Sequence, residues 1–425
     1  MGHGTGVMRG LLAWYAIRGL TVGIAGTCGL FISRKSGLPQ NNLVGARGAG
    51  LTLGPALLGF AVGRMVWSGN SQVGVAGALA CKMLCELLIP RTNSALTLYL
   101  AFFGIGIAMA LLDTFTTVIM SRVHGRRMGT VLVLYDTVYG MGCMIAPFIA
   151  VMDPQEAWNL LAGLDFVLAA VIAGKRLLAG KPRDWKAKIR GLAAAQAQAG
   201  ADAEQAVAAA RSRPPARVVR VGMAFTFMVQ FTMTAVSCWG FTYASVTLGM
   251  PPALAATIPG SFYAACTVAR LFIAPATVKF RPSVIMHAGI LLTVVAAVAF
   301  YALDGHLASA LAAGASHELV MSYVPMLMAC FMAMGAGFCP HYSLMLAAMQ
   351  EHGDLEPQQH GWYGTSTCLG ITAGMWLPGF VRLPVIELLG SASLLLMINA
   401  HARDFPRGGL TLEGAAARVV KVAEP

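Results

Sequence analysis

The sequence predicts an all-α integral membrane protein with about 12 transmembrane helices in two sets of six. Three observations lead there. Composition is the first: 57% of the residues are hydrophobic and 11% charged, against roughly 45–50% apolar and about 25% charged in a soluble domain. Mean hydropathy is +0.68. The second is arrangement. The apolar residues recur in blocks of about twenty, the length that crosses about 30 Å of hydrocarbon, and a soluble chain would instead mix polarity within each helix or strand. The third is the placement of positive charge, which gathers on one side of the alternating loops.

A window of about nineteen residues places spans at 8–32, 48–68, 72–91, 95–120, 128–151 and 157–178, and then at 218–247, 253–278, 283–303, 320–349, 360–381 and 384–401. The block 320–349 is longer than a crossing needs, so it tilts or extends into water. The resulting organisation is an N-terminal six-helix bundle (1–178), a connector (179–217), a C-terminal six-helix bundle (218–401) and a tail (402–425). The connector is too polar to cross and rich in Ala, which favours helix. A disordered linker is the other reading.

About 22 of the 30 Lys and Arg residues fall in the connector, the two tails and loops of the same parity. Only Arg34, Lys35, Arg47, Arg91 and Arg382 fall opposite. The positive-inside bias puts both termini in the cytoplasm. It also accounts for the net charge of +12 without nucleic acid. Plasma and organelle membranes share that bias. The first span carries Arg18 within its apolar run and eleven spans follow, so it is not a cleavable signal peptide. All nine cysteines fall inside spans, as small core residues rather than a disulfide framework. Cys81 and Cys85 have helical spacing but no second ligand pair, so no metal site is expected. No cofactor is expected either: "GARGAGLTLG" lacks the strand and the Lys-Ser/Thr ending of a phosphate loop. Nothing resembles a nucleophile elbow, and an enzyme is excluded on these grounds.

The halves share internal marks. Second spans carry Gly63-Arg64 and Ala269-Arg270 at matching places. Fourth spans open with Gly104 and Gly106 against Gly335 and Gly337, and fifth spans place glycines before Pro147 and Pro378. Three matches in one order argue for a duplication, the repeat signature of secondary transporters. With the basic connector, these residues resemble the major facilitator superfamily. Within it, "GIGIAMALLDT", "GMGCMIAPF", "VARLFIAPATVKFRPSVIM", "GFCPHYSLMLAAM" and "GITAGMWLPGF" are similar to the branch of fucose:proton symporters and sodium-dependent glucose transporter-like proteins. The resemblance implies symport of a small polar solute, a hexose-type sugar first, with a proton or sodium ion. Two departures stand out. "GFAVGRMVWSGNSQ" keeps Arg64 but lacks the acid of the family's loop signature, and "VLYDTVYG" puts Asp136 where the branch has an aromatic and histidine run.

The chemistry-bearing residues follow. Asp113 interrupts "LAFFGIGIAMALLDTFTTVIM" near mid-membrane, where an ionised carboxylate costs about 2.5–3.5 kcal/mol on insertion scales. Arg18 has no local acid, so its partner is Asp113 or Asp136. The acid left over is free to carry a proton or cation, and a static buried network is the competing reading. Lys82 and Glu86, at i and i+4, are read as a structural pair. Gln230, Trp239 and Tyr243 in the seventh span, His341 in the tenth and Trp376 in the eleventh are the candidate substrate groups, offering amide hydrogen bonds and aromatic faces to a sugar. Pro340 breaks the helix before His341, also a candidate proton carrier, whereas Trp362 and Tyr363 are read as interface anchors. Arg64 and Arg270 are read as gate elements at the cytoplasmic side, with Arg270 contacting an acid of the loop 351–356 or the neighbouring fifth-span end. The lost acid and altered fifth span leave a second reading open: a non-transporting sensor, or a subunit with a membrane-complex partner.

Overall fold

A computed structural model describes residues 2–67, 71–124, 128–178, 214–280, 282–314, 316–339, 341–351 and 357–402. Every regular element among them is helical. The six spans of the first half are Gly2–Ser36, Gln40–Trp67, Ser71–Leu88, Ala95–His124, Met128–Met152 and Pro154–Leu178. The second half runs Ala216–Thr242, Thr257–Lys279 and Pro282–Ala312, then a tenth span in two pieces, Val324–Phe338 and His341–Glu351, and finally Pro357–Trp376 and Leu383–Ala402. Helices are the open-ended way to satisfy every backbone group in lipid. Most of the predicted connector and the tail beyond 402 lie outside the described residues.

Nine helices among the described residues are long and apolar enough to cross a membrane. The twelfth span contributes a shorter apolar helix, Leu383–Asn399. The eleventh span is helical but more polar, as is the N-terminal part of the second, and their packing explains why. They lie against each other, where the two halves meet, and need little lipid-facing hydrocarbon. For the same reason the sequence places the second span too late: its helix begins at Gln40, ahead of the polar "QNN" and "GARGAG" that dilute a hydropathy window. Arg47, read from the sequence as an extracytoplasmic loop charge, is a fully buried residue of this helix.

The packing repeats with a period of six spans. In the first half the main pairs are first with fifth, second with fourth, third with fourth and third with sixth. In the second half they are seventh with eleventh, eighth with tenth, ninth with tenth and ninth with twelfth. Between halves, the fifth meets the eighth, the second meets the eleventh, and the first meets the seventh. Glycine permits the closest of these approaches. A Cβ at Gly106 would strike the Arg47 carbonyl of the second span, and one at Gly335 the Phe262 carbonyl of the eighth. Gly142 and Gly374 are likewise pressed against the backbones of the first and seventh spans. Large apolar side chains such as Leu100, Phe166, Phe272, Leu291 and Leu396 point outward, the direction lipid favours and water opposes.

Candidate functional site

The charged centre lies where the first, fourth and fifth spans meet the tenth and eleventh. Arg18 Nη2 is 2.9 Å from Asp113 Oδ2. The guanidinium also lies over the Tyr139 and Tyr15 rings, 5.0 and 5.7 Å from their centroids, within cation–π range. Trp14 comes close enough to interact with Asp113, but its buried indole N–H closes no hydrogen bond of ordinary geometry. Asp113 stands eleven residues before His124, about 16 Å along the helix at 1.5 Å per residue. Even at that depth the side chains of Arg18 and Asp113 keep 22% and 31% exposure. Tyr342 and Cys368 of the second half are near enough to feel both charges. The exposed surface of the pair is therefore interior, between the halves.

Asp136 and Arg270 form the second element of the centre. Arg270 Nη1 donates to the backbone carbonyl of Asp136 at 2.5 Å, joining the eighth span to the fifth, and its charge also attracts the Asp136 carboxylate. Ser343, just past the break in the tenth span, reaches that carboxylate too. Two cations and two acids from both halves thus share one region. Arg270 is buried. The acidic loop 352–356 lies outside the described residues, as do the side chains of Glu351 and Arg64.

The other sequence candidates are dispersed. Trp239 Nε1 donates to the Met375 carbonyl at 3.0 Å. Tyr243 donates to Asp304 Oδ1 at 2.8 Å, and Asp304 is ion-paired with Arg382. Both aromatics line a small cavity of about 210 Å³ between the ends of the seventh and eleventh spans. His341 is fully buried against Phe225 and Phe338. Its Nδ1 faces the Phe338 carbonyl at 3.0 Å and its Nε2 the Met286 carbonyl at 3.2 Å, and a neutral ring has one N–H to offer them. Gln230 is half-buried on the seventh span. Trp376, 49% exposed, lines a cavity of about 730 Å³ between the second, fourth, seventh and eleventh spans.

Two features escape a sequence reading. Lys82 Nζ contacts Glu86 Oε1 and Asp165 Oδ2, each at 2.6 Å, with all three side chains fully buried. The helical spacing finds Glu86, but Asp165 comes from the sixth span and leaves no mark beside Lys82. Arg47 is the other feature. Its Nη2 touches only sulfur, Cys238 Sγ at 3.8 Å and Met375 Sδ at 3.7 Å, while Nε and Nη1 are buried without a hydrogen-bond partner among the described residues.

Twelve spans in two pseudo-repeats with an ionisable centre between the halves define a polytopic membrane transporter. The particular family is the Major Facilitator Superfamily, which matches residues 11–375, and the chain belongs to it. No curated protein matches the sequence at a significant level. Among solved structures the chain is similar to a point mutant of the nucleoside transporter NupG, with TM-score 0.61 and 12% identity over 94% of this chain and 99% of that one. It is also similar to a point mutant of the Escherichia coli fucose:proton symporter FucP, with TM-score 0.60 and 14% identity over 93% of this chain and 97% of that one. At such identities the likeness is one of fold.

Proposed function

We propose that this protein is a secondary active transporter that moves a small polar solute, of hexose type, by alternating access coupled to a proton or sodium ion. The observation that carries the reading is the Arg18–Asp113 pair, deep in the helices and part-exposed toward the space between the halves. Intramembrane charges that face a shared interior are the mark of ion and substrate paths, and transporter sites lie at the interface of the repeats. Asp136 and Arg270, joined across the fifth and eighth spans, give the same region a contact that must break when the halves rock. The names of the two similar structures, a fucose:proton symporter and a nucleoside transporter, support the choice of substrate class and coupling.

In this reading residues 1–178 and 218–401 are the rocking bundles, 179–217 the cytoplasmic connector and 402–425 a cytoplasmic tail. Asp113, Asp136 and Arg18 serve as the coupling network. Arg64 and Arg270 serve as gates, and Gln230, Trp239, Tyr243, His341 and Trp376 as substrate contacts. The test is uptake of labelled hexoses and other small solutes into proteoliposomes with and without proton or sodium gradients. Accumulation that needs one gradient and is lost in Asp113→Asn supports symport at this centre. Equal uptake without either gradient, or none of any solute, overturns it.

A further inference from the structure

Arginine keeps its charge in any protein environment, so a buried guanidinium needs an anion or must bear a desolvation cost of several kcal/mol. Among the described residues, three arginines lie between the halves, Arg18 part-exposed and Arg47 and Arg270 buried, and they differ in how they meet that need. Arg18 has Asp113. Arg270 has the Asp136 carbonyl and the attraction of its carboxylate. Arg47, with no exposed surface, has two sulfur contacts and no acid among the described residues. Sulfur is a weak acceptor and cannot offset a full charge.

The position of Arg47 is as telling as its chemistry. Cys238 belongs to the seventh span and Met375 to the eleventh, so this second-span side chain reaches across the division between the halves. Hydroxyl groups lie close to the same contacts: Ser237 Oγ is 3.9 Å from Cys238 Sγ, and Thr372 donates to the Gly48 carbonyl one residue from Arg47. On the neighbouring face of the second span, Gly45, Ala46 and Ala49 line the 730 Å³ cavity together with Thr372 and Trp376. Small residues at these positions open the helix face, and Thr372 faces the cavity. That volume is within the range of small-molecule sites.

We propose that Arg47 is the anion-binding anchor of the transport site and that the solute is a sugar-type molecule bearing a carboxylate, taken up by the guanidinium when the second span parts from the seventh and eleventh. The proposal rests on the transport reading above and narrows its substrate class. A guanidinium matches a carboxylate in a two-point fork, and either fork of Arg47, Nε with Nη2 or Nη1 with Nη2, gives up nothing stronger than the sulfur contacts of Nη2. The hydroxyls of Ser237 and Thr372 are suited to the polyol part.

The experiment compares a neutral hexose with the corresponding uronic and aldonic acids in proteoliposomes of zwitterionic lipid, for native protein, Arg47→Gln, Arg47→Lys and Arg47→Met. The native chain is expected to prefer the acids at least tenfold in KM. Arg47→Gln is expected to raise the KM for the acids at least tenfold, erasing the preference over the neutral hexose, and Arg47→Lys to keep part of it. Without solute, Arg47→Met is expected to melt at a higher temperature than the native protein, because it removes an uncompensated charge. Equal KM for acid and neutral sugar in the native protein overturns the proposal while leaving transport standing, and so does loss of folding in the Met and Gln variants. If anionic lipid vesicles raise the melting temperature of native protein but not of Arg47→Gln, while no acid does so, the ligand is a lipid headgroup and the proposal falls. Absence of all transport instead fails the underlying reading.

Discussion

Arg18 of the first span and Asp113 of the fourth form an ion pair of 2.9 Å, and both side chains keep access to the interior between the halves. Partial exposure separates this pair from a sealed structural bridge. A sealed pair is expected to lose about 3–5 kcal/mol when one member is removed; water at a part-open pair screens much of that loss. Asp113→Asn is therefore expected to fold with a modest drop in melting temperature and to lose gradient-driven accumulation. Combining it with Arg18→Gln is expected to recover melting temperature without recovering accumulation. Thermal melts and uptake on the same preparations check both. A double variant less stable than Asp113→Asn contradicts the pairing.

Arg270 joins the eighth span to the fifth through the Asp136 carbonyl, and Cys339 lies beside it, buried and near enough to interact. If this junction holds one side of the protein closed, Arg270→Gln must expose what lies behind it. Labelling of Cys339 by a membrane-impermeant maleimide is expected to accelerate about tenfold, roughly the effect of 1.4 kcal/mol on the opening equilibrium. A variant with the other eight cysteines replaced by Ala or Ser isolates the signal. Unchanged labelling with full folding removes the gating role.

The spans, the pseudo-repeat and the intramembrane acid of the fourth span were legible in the sequence because each rests on local pattern: block length, recurring Gly and Pro, one carboxylate in an apolar run. The second span was placed late because hydropathy assumes that helices face lipid, and this one faces protein. Arg47 was assigned to a loop for the same reason. The partner of Arg18 was narrowed to two acids, and only three-dimensional packing separates Asp113 from Asp136. Asp165 could not be seen beside Lys82 at all, since third-span and sixth-span residues meet through tertiary contact. Tyr243 was legible as a polar aromatic near a span end, but its bond to Asp304 was not.

The Lys82 cluster makes a further prediction. One ammonium and two carboxylates are fully buried together, and Glu86 Oε2 and Asp165 Oδ1 have no hydrogen-bond partner among the described residues. Two negative charges against one positive is an unfavourable balance in a dry interior. Replacing either acid by its amide leaves a neutral Lys–carboxylate pair. Glu86→Gln and Asp165→Asn are therefore expected to melt within a few degrees of the native protein. Lys82→Met, which strands both acids, is expected to lose about 3–5 kcal/mol, read as a drop in melting temperature and in monodisperse yield. If Lys82→Met is as stable as the amides, the lysine is not what holds the third and sixth spans together.

The pseudo-repeat can itself be tested through two glycines. Gly106 presses the fourth span onto the Arg47 carbonyl of the second, and Gly335 presses the tenth onto the Phe262 carbonyl of the eighth. These are equivalent contacts six spans apart. In each, the obstacle to a side chain is backbone oxygen, which cannot rotate away as a side-chain tip can, so the helices must separate and lose their close dispersion contacts. Gly106→Val and Gly335→Val are expected to be about equally damaging, with little monodisperse protein recovered from either. Gly163 provides the contrast, because an added Cβ there meets nothing within 4 Å, and Gly163→Ala is expected to fold as the native chain does. Size-exclusion profiles of the three variants, made side by side, decide the matter. Tolerance of valine at either crossing would mean that the close helix contacts are not what defines that half of the fold.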